Sequence, residues 1–421
     1  MRLATLLLAA LFVLPAPAQE FEPAYTMEEV LERQRRVPRD DHWWAVTGDQ
    51  MGWMHKNTQQ MFPTVPVYRA GPVRELESAP MAAIADFAVE TPEGTMRFEE
   101  FLADDQSTAL GVVILHRGKV VFESYPRMRD YEKVTYWSVA KPMAGTIVYL
   151  LEARGEVDTQ APIETYIPRL ADSAFAGITV RNFLEHSSGV DCSENYEDPE
   201  SCYYQYSMAI GDNHRDASAA DDPYEYLATA EIGRIFEPGA RFDYSGVNNF
   251  IVAWLIQEVT GYPLQDLVTR EFWSRIGAEN DAAYIAYRYG IALSHGGFIA
   301  RMRDLGRFGL LFTPSYRVVS DHEVIPGDFF DVVFNDHSGN PAWESADGAF
   351  SHIAYQWSVE PERGIISHGG WGGQGLIIDT RQDVVAVFTS FVKDDYSEVN
   401  LEQVVTELLA AVFPGLPEKT D

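Results

Sequence analysis

The strongest constraint on this fold is the order of its strand-forming and helix-forming stretches: strands at both ends of the chain, helices between them. Gly111-Val112-Val113-Ile114-Leu115-His116 and Val120-Val121-Phe122-Glu123 are β-branched, apolar runs separated by Arg117-Gly118-Lys119, a tight-turn signal. Strands joined so closely fold back on each other and run antiparallel. From about residue 138 to 285 apolar residues recur at helical spacing, as in 142–152, 180–185, 248–259 and 264–276. Strand patterns return at 365–368, 376–379 and 384–390, and a final amphipathic helix is predicted over 401–412. A doubly wound parallel sheet alternates strand and helix throughout, which this chain does not do. The order predicts an α/β (α+β) fold instead: an antiparallel sheet from both chain ends, flanked by helices, with a mostly helical inserted subdomain at about 138–285. A cleft between sheet and helices is the expected place for a ligand.

At 421 residues the chain is long enough for one large domain, expected at 76–415. Residues 1–18 read as a signal peptide: Arg2, an apolar run from Leu3 to Leu14, then Ala16-Pro17-Ala18 before Gln19. The run falls short of the roughly 20 residues a membrane span needs, so no transmembrane segment is expected and the mature protein should be periplasmic or secreted. Residues 19–75, with Trp43, Trp44 and Trp53 and the Pro-punctuated stretch 62–66, are expected to form an extension packed on the body. The net charge of -31 repels nucleic acid and anionic lipid, leaving a small molecule as the expected partner. The two cysteines, Cys192 and Cys202, can bridge a short loop in an oxidising compartment or remain as buried thiols. The ten histidines are scattered and H-E-x-x-H is absent, so neither metal nor cofactor is expected.

A nucleophilic serine needs a base beside it, because a free hydroxyl is almost never ionised at neutral pH. S-x-x-K occurs twice, at Ser138-Val139-Ala140-Lys141 and Ser390-Phe391-Val392-Lys393, while G-x-S-x-G is absent. On a helix, residues i and i+3 share a face. On a strand they point to opposite faces, and Ser390 ends the strand pattern 384–390. Ser138 opens a helical pattern through Met143, Ile147, Val148 and Leu151, and Pro142 must lie near that helix's start. The positive end of the helix dipole there favours an alkoxide. Ser138 alone would equally serve as a helix N-cap.

Further along, Tyr244-Ser245-Gly246 precedes a helix, and Ser367-His368-Gly369-Gly370-Trp371-Gly372-Gly373-Gln374 links two strand patterns through glycines that let a ligand approach the backbone. With Ser138-Val139-Ala140-Lys141 these stretches resemble, in order and spacing, the serine β-lactamase and penicillin-binding-protein superfamily. They look most similar to its class C-like esterases and 6-aminohexanoate-dimer hydrolases. Tyr244-Ser245-Gly246 sits where that superfamily has Y-x-N, and His368-Gly369-Gly370 where it has K-T-G or H-x-G. Leu184-Glu185-His186-Ser187-Ser188-Gly189-Val190 and Arg303-Asp304-Leu305-Gly306-Arg307-Phe308-Gly309 are similar too. The resemblance implies Ser138 as nucleophile, Lys141 as base and Tyr244 as proton relay. It implies an oxyanion hole from the backbone N–H groups of Ser138 and Trp371, and substrate contacts from Tyr196, His368, Gly369, Gly370 and Trp371. Tyr196 lies in a loop that resembles the one supplying a substrate-contacting tyrosine in the aminohexanoate-dimer hydrolases, and a Cys192–Cys202 bridge would brace it.

Two departures bear on substrate. Gly246 lacks the polar side chain usual at the third position of Y-x-N, with Asn248 or Asn249 as candidates to replace it. His368 stands in place of the K-T-G lysine that greets a carboxylate. Both favour a carboxylic ester or linear amide, hydrolysed through an acyl-enzyme, over the alternative of a D,D-peptidase or β-lactamase. The alternative of another class is an inactive binding or sensor module on the same fold.

Overall fold

The computed structural model describes residues 25–38, 43–215, 217–288, 290–335, 343–344 and 350–414. The signal peptide expected at 1–18 lies outside them. The chain divides into two units, Met1–Val37 and Pro38–Asp421. In the first, the helix Met27–Arg36 is framed by a capping box: Thr26 accepts from the Glu29 N–H at 3.3 Å, and the Glu29 carboxylate accepts from the Thr26 N–H at 2.6 Å. Acidic residues in its first turn and Arg33, Arg35 and Arg36 in its last complement the helix dipole.

In the second unit, eight antiparallel strands follow the spatial order Lys119–Ser124, Gly111–His116, Val384–Thr389, Gln374–Asp379, Ile365–Gly370, Trp357–Glu360, Phe350–Ala354 and Trp343–Glu344. The expected union of chain ends is made by Val113 pairing with Val387 and Leu115 with Val385. Arg117 and Gly118 turn the first hairpin, both at positive φ, as a tight two-strand turn requires. All six side chains of Val384–Thr389 are buried, because both sheet faces are covered. One face packs Met302, Leu305 and Phe308; the other packs Phe98, Phe101, Val405 and Leu408.

The unit boundary falls after Val37, so residues 43–75 belong to the main body. The helix Gly48–Met61 buries Met51, Trp53, Met54 and His55. The strand Thr64–Val67 joins a second sheet with Ala282–Ile285, Phe298–Ala300 and Val134–Thr135. That last strand leads directly to Ser138.

The inserted helices include Lys141–Ala153, Val180–Leu184, Cys202–Ile210 and Gly246–Thr260. The pattern over 264–276 is not one helix: Leu264–Val268 passes into a π-helical turn, Thr269–Trp273. Gly246–Thr260 buries every residue from Gly246 to Ile256, which makes it the centre of the helical layer. It lies against Lys141–Ala153, whose residues from Lys141 to Leu151 are buried as well. Among the described residues no helix is long and apolar enough to cross a membrane.

One close approach ties sheet to helices. Tyr355 and Gln356, both at positive φ, turn the hairpin between Phe350–Ala354 and Trp357–Glu360. The Tyr355 carbonyl oxygen presses on Gly145, where a Cβ would meet it at 1.8 Å. Gln356 donates from its backbone to the Leu184 carbonyl at 3.0 Å and from its side chain to the Phe183 carbonyl at 2.8 Å. Gly145→Ala therefore forces the hairpin off the helix and should lower stability by about 1–3 kcal/mol. Urea unfolding followed by tryptophan fluorescence reads this directly; an unchanged midpoint contradicts the packing described.

Candidate active site

Ser138 begins a 3-10 turn, Ser138–Ala140, that runs into the helix Lys141–Ala153 with Pro142 in its first turn. The residue before it, Trp137, is held at φ 46° and ψ -128°, a conformation unfavourable for any residue with a Cβ. The turn thus resembles a bent elbow between strand and helix, with the serine partly exposed at its apex.

The expected side-face geometry of i and i+3 is present: Lys141 Nζ lies 2.9 Å from Ser138 Oγ. The amine is 1% exposed and donates to the His295 carbonyl at 2.8 Å. Burial pulls its pKa from 10.5 down to about 8, although Glu194 and Asp212 act in the opposite direction. Ser390, the decoy, is spent on structure: its hydroxyl donates to the carbonyls of Gly372 (3.2 Å) and Gly373 (3.0 Å).

Tyr244 completes a compact group. Its ring lies 4.5 Å from Lys141 Nζ and its hydroxyl is hydrogen-bonded to Ser138. Burial, then the negative charge of Glu194, raises its pKa well above 10, so it remains a neutral phenol. His186 stacks on the Tyr244 ring with centroids 4.7 Å apart and accepts the Ser245 N–H at 3.3 Å. His368 is 7% exposed and hydrogen-bonded through Nδ1 to the Gly369 carbonyl at 2.6 Å. Burial, then Lys141, lowers its pKa to about 3, so its imidazole is uncharged.

Gly369 pairs with Gly375 and Gly370 with Gln374 at the end of the strand Ile365–Gly370. A Cβ on Gly370 would meet the Tyr136 carbonyl oxygen at 2.4 Å, so only glycine lets this strand end lie so close to the Ser138 turn. Trp371 follows, 41% exposed, with its indole N–H donating to the Trp44 carbonyl at 3.2 Å. Trp44 meets Tyr196 edge-on at 4.6 Å and Trp371 at 5.9 Å. Trp44, Tyr196 and Trp371 thus form one aromatic cluster.

Cys192 and Cys202 are joined in a disulfide. The loop it closes carries Glu194 and Tyr196, and is tied down by Ser245 Oγ donating to the Cys192 carbonyl at 2.6 Å and by a 3.1 Å contact between the Tyr196 and Tyr203 hydroxyls. Glu194 opens to solvent on one side yet is crowded by protein; burial raises its pKa while it accepts from the Gly246 N–H and the Tyr203 hydroxyl. This accounts for Gly246: a Cβ there would lie 2.4 Å from Tyr203 Oη and 3.0 Å from His295 Nδ1. The two asparagines considered as replacements are turned inward. Asn249 donates to the Lys141 carbonyl at 3.3 Å and to Gln356 Oε1 at 3.1 Å, while Asn248 lies against His186.

His186, Glu194 and His295 were not among the sequence candidates. A signal for His295 exists, because Ser-His-Gly-Gly occurs twice, at 294–297 and 367–370: the first copy accepts from Lys141 through the His295 carbonyl, and the second brings the His368 ring 6.4 Å from that of Tyr244.

Residues 95–404 match the family described as Beta-lactamase. The 6-aminohexanoate-dimer hydrolase of Paenarthrobacter ureafaciens is 27% identical over 360 residues, covering 83% of this chain and 87% of that protein. Esterase EstB of Burkholderia gladioli is 27% identical over 183 residues, 40% of this chain and 45% of the esterase. A solved structure from Bacillus anthracis, provisionally described as a 6-aminohexanoate-dimer hydrolase, superposes with a TM-score of 0.76 at 24% identity, over 90% of this chain and 97% of that one.

The short loop closed by the disulfide sets the expected worth of the bond. Replacing both sulfurs, Cys192→Ser/Cys202→Ser, should lower stability by about 2–4 kcal/mol. Denaturant unfolding without reductant measures it, and a midpoint equal to wild type contradicts the constraint.

Proposed function

The chain belongs to the Beta-lactamase family, and on that premise we propose that it is a serine hydrolase forming an acyl-enzyme on Ser138 with a carboxylic ester or linear amide. The observation that carries this reading is the 2.9 Å contact of a buried amine, Lys141 Nζ, with a partly exposed serine hydroxyl. The His295 carbonyl takes one N–H of that amine and holds the nitrogen beside Ser138.

In the reaction, Ser138 Oγ bonds to the substrate carbonyl carbon while its proton passes to Lys141. The carbonyl oxygen becomes an oxyanion, facing the backbone N–H groups of Ser138 and Trp371. As the tetrahedral intermediate collapses, the bond to the leaving alcohol or amine breaks and the Tyr244 hydroxyl hands that group a proton, replenished from Lys141. Water then attacks the acyl carbon by the same route, releasing the carboxylic acid and restoring Ser138. An oxyanion donor of this kind is worth about 10²–10³ in rate.

The charge around the cleft supports an ester or linear amide over a β-lactam or D-Ala-D-Ala peptide. The uncharged His368 gives a carboxylate no cation to pair with. The Trp44–Tyr196–Trp371 cluster offers an apolar wall for the acyl or leaving group. The leader-like sequence at 1–18 and the disulfide together support a periplasmic or secreted location.

Purified protein should hydrolyse p-nitrophenyl butyrate and react with a fluorophosphonate probe, and Ser138→Ala should lose both. Stable labelling by a fluorescent penicillin would favour the penicillin-binding alternative, and its rapid turnover a β-lactamase. No probe reaction and no hydrolysis across an ester and amide panel would favour an inactive binding module.

The lysine dictates the pH dependence. Its pKa is depressed, so the reactive neutral amine accumulates as pH rises through about 8, and kcat/KM should climb between pH 6 and 9 with a midpoint near 8. Lys141→Met should lower kcat/KM by about 10²–10⁴-fold and remove that rise. A flat wild-type profile contradicts the assignment.

A further inference from the structure

The helix Gly48–Met61 lies outside the matched stretch 95–404, yet one of its side chains reaches the Trp137 indole on one side of the oxyanion position and packs against Gly372 on the other. His55 is 2% exposed. The Trp137 indole N–H donates to His55 Nε2 at 3.0 Å. An indole N–H can only donate, so Nε2 must accept and the ring proton sits on Nδ1. That nitrogen faces the Ser390 carbonyl oxygen at 3.2 Å. Burial lowers the imidazole pKa to about 4, which keeps this tautomer uncharged in neutral solution. The Gln374 side-chain nitrogen reaches the same Ser390 carbonyl at 2.9 Å and lies 3.0 Å from Nδ1 itself, a donor-to-donor contact that is no hydrogen bond in this tautomer. Gly372, in the turn between Trp371 and Gln374, packs so closely on the imidazole that a Cβ there would lie 2.7 Å from His55 Cε1.

Trp137 is the residue whose φ of 46° and ψ of -128° orient the peptide plane carrying the Ser138 N–H. A conformation of that kind costs of order 1–3 kcal/mol and persists only where neighbours hold it. The indole hydrogen bond to His55 is such a hold, and the same ring props the turn that begins at Trp371. We propose that His55 is a positioning residue: it fixes the Trp137–Ser138 peptide relative to the Trp371 turn, and so sets the geometry of the two N–H donors. The inference rests on the acyl-enzyme reading above. His55 itself touches neither Ser138 nor Lys141 by any hydrogen bond described, so its influence travels through Trp137 and the 371–374 turn.

The test compares wild type with His55→Ala, His55→Gln, Trp137→Phe and His55→Ala/Trp137→Phe, using p-nitrophenyl butyrate and an alkyl boronic acid that forms a tetrahedral adduct with the serine. Displacing a donor by a fraction of an ångström to 1 Å costs up to about 10²-fold. His55→Ala should therefore lower kcat by about 10- to 100-fold, leave KM within about twofold, and weaken the boronic acid by a similar factor. His55→Gln, whose amide can accept from Trp137 and donate to Ser390 at similar reach, should recover most of the loss. Trp137→Phe should lose kcat comparably, and the double variant should fall no further than His55→Ala. Thermal unfolding of each variant separates positioning from collapse. If His55→Ala does not fold, a folded Trp137→Phe with wild-type kcat still overturns the inference. So does Ser138-dependent activity with wild-type kcat in His55→Ala, or losses that multiply in the double variant. Activity that survives Ser138→Ala overturns the acyl-enzyme reading instead.

Discussion

The arrangement turns on the desolvation of one amine. Lys141 is enclosed by the helix that carries it, the Tyr244 ring and the backbone at His295, and water is excluded from the positions that would hold its charge. A fall from 10.5 to about 8 represents roughly 3 kcal/mol against the ammonium form. Two carboxyl groups, Glu194 and Asp212, push the other way, and burial wins because neither is among the direct hydrogen-bond partners found for the amine. Much of the surrounding packing serves this exclusion. Gly145 admits the Tyr355–Gln356 turn onto the same helix, and Asn249 ties the Lys141 carbonyl to Gln356.

The features legible in the sequence are those set by local periodicity or by a motif whose members are close in the chain. The 111–123 hairpin, the helix after Ser138 and the strands near 365, 376 and 384 have that character, and the structure contains them. Ser138 was separable from Ser390 because a three-residue spacing means contact on a helical turn and divergence on a strand. What escaped were residues whose partners are distant in sequence. His55 lies 82 positions from Trp137, and Lys141 lies 154 positions from His295. A histidine with one far-off acceptor has no periodic signature, and ten histidines offered no way to rank them. The inward turn of Asn248 and Asn249 was equally hidden, since helical phase depends on where the neighbouring hairpin lands. The break of the 264–276 pattern into a π-turn has no cue in its apolar spacing.

Two motif positions carry residues other than the usual ones. In the third position of the tyrosine motif, space belongs to Tyr203 and His295, and the backbone N–H of Gly246 is directed at Glu194. In the position of the motif lysine stands an imidazole that burial keeps uncharged. Beside it lies an aromatic cluster partly built from Trp44, a residue upstream of the region that the family match covers.

The pairing of Val113 with Val387 has a consequence for how the molecule comes into being. During synthesis, Gly111–His116 emerges long before the strand that must lie beside it, and Ser138 cannot acquire its opposing glycine turn until nearly the whole polypeptide exists. Contacts of such sequence separation are slow to form, because a large loop must close before any of them is rewarded. A ribosome-bound fragment therefore has an open sheet edge and no assembled cleft, so the site comes together late, only once the strand that pairs with Gly111–His116 has been made.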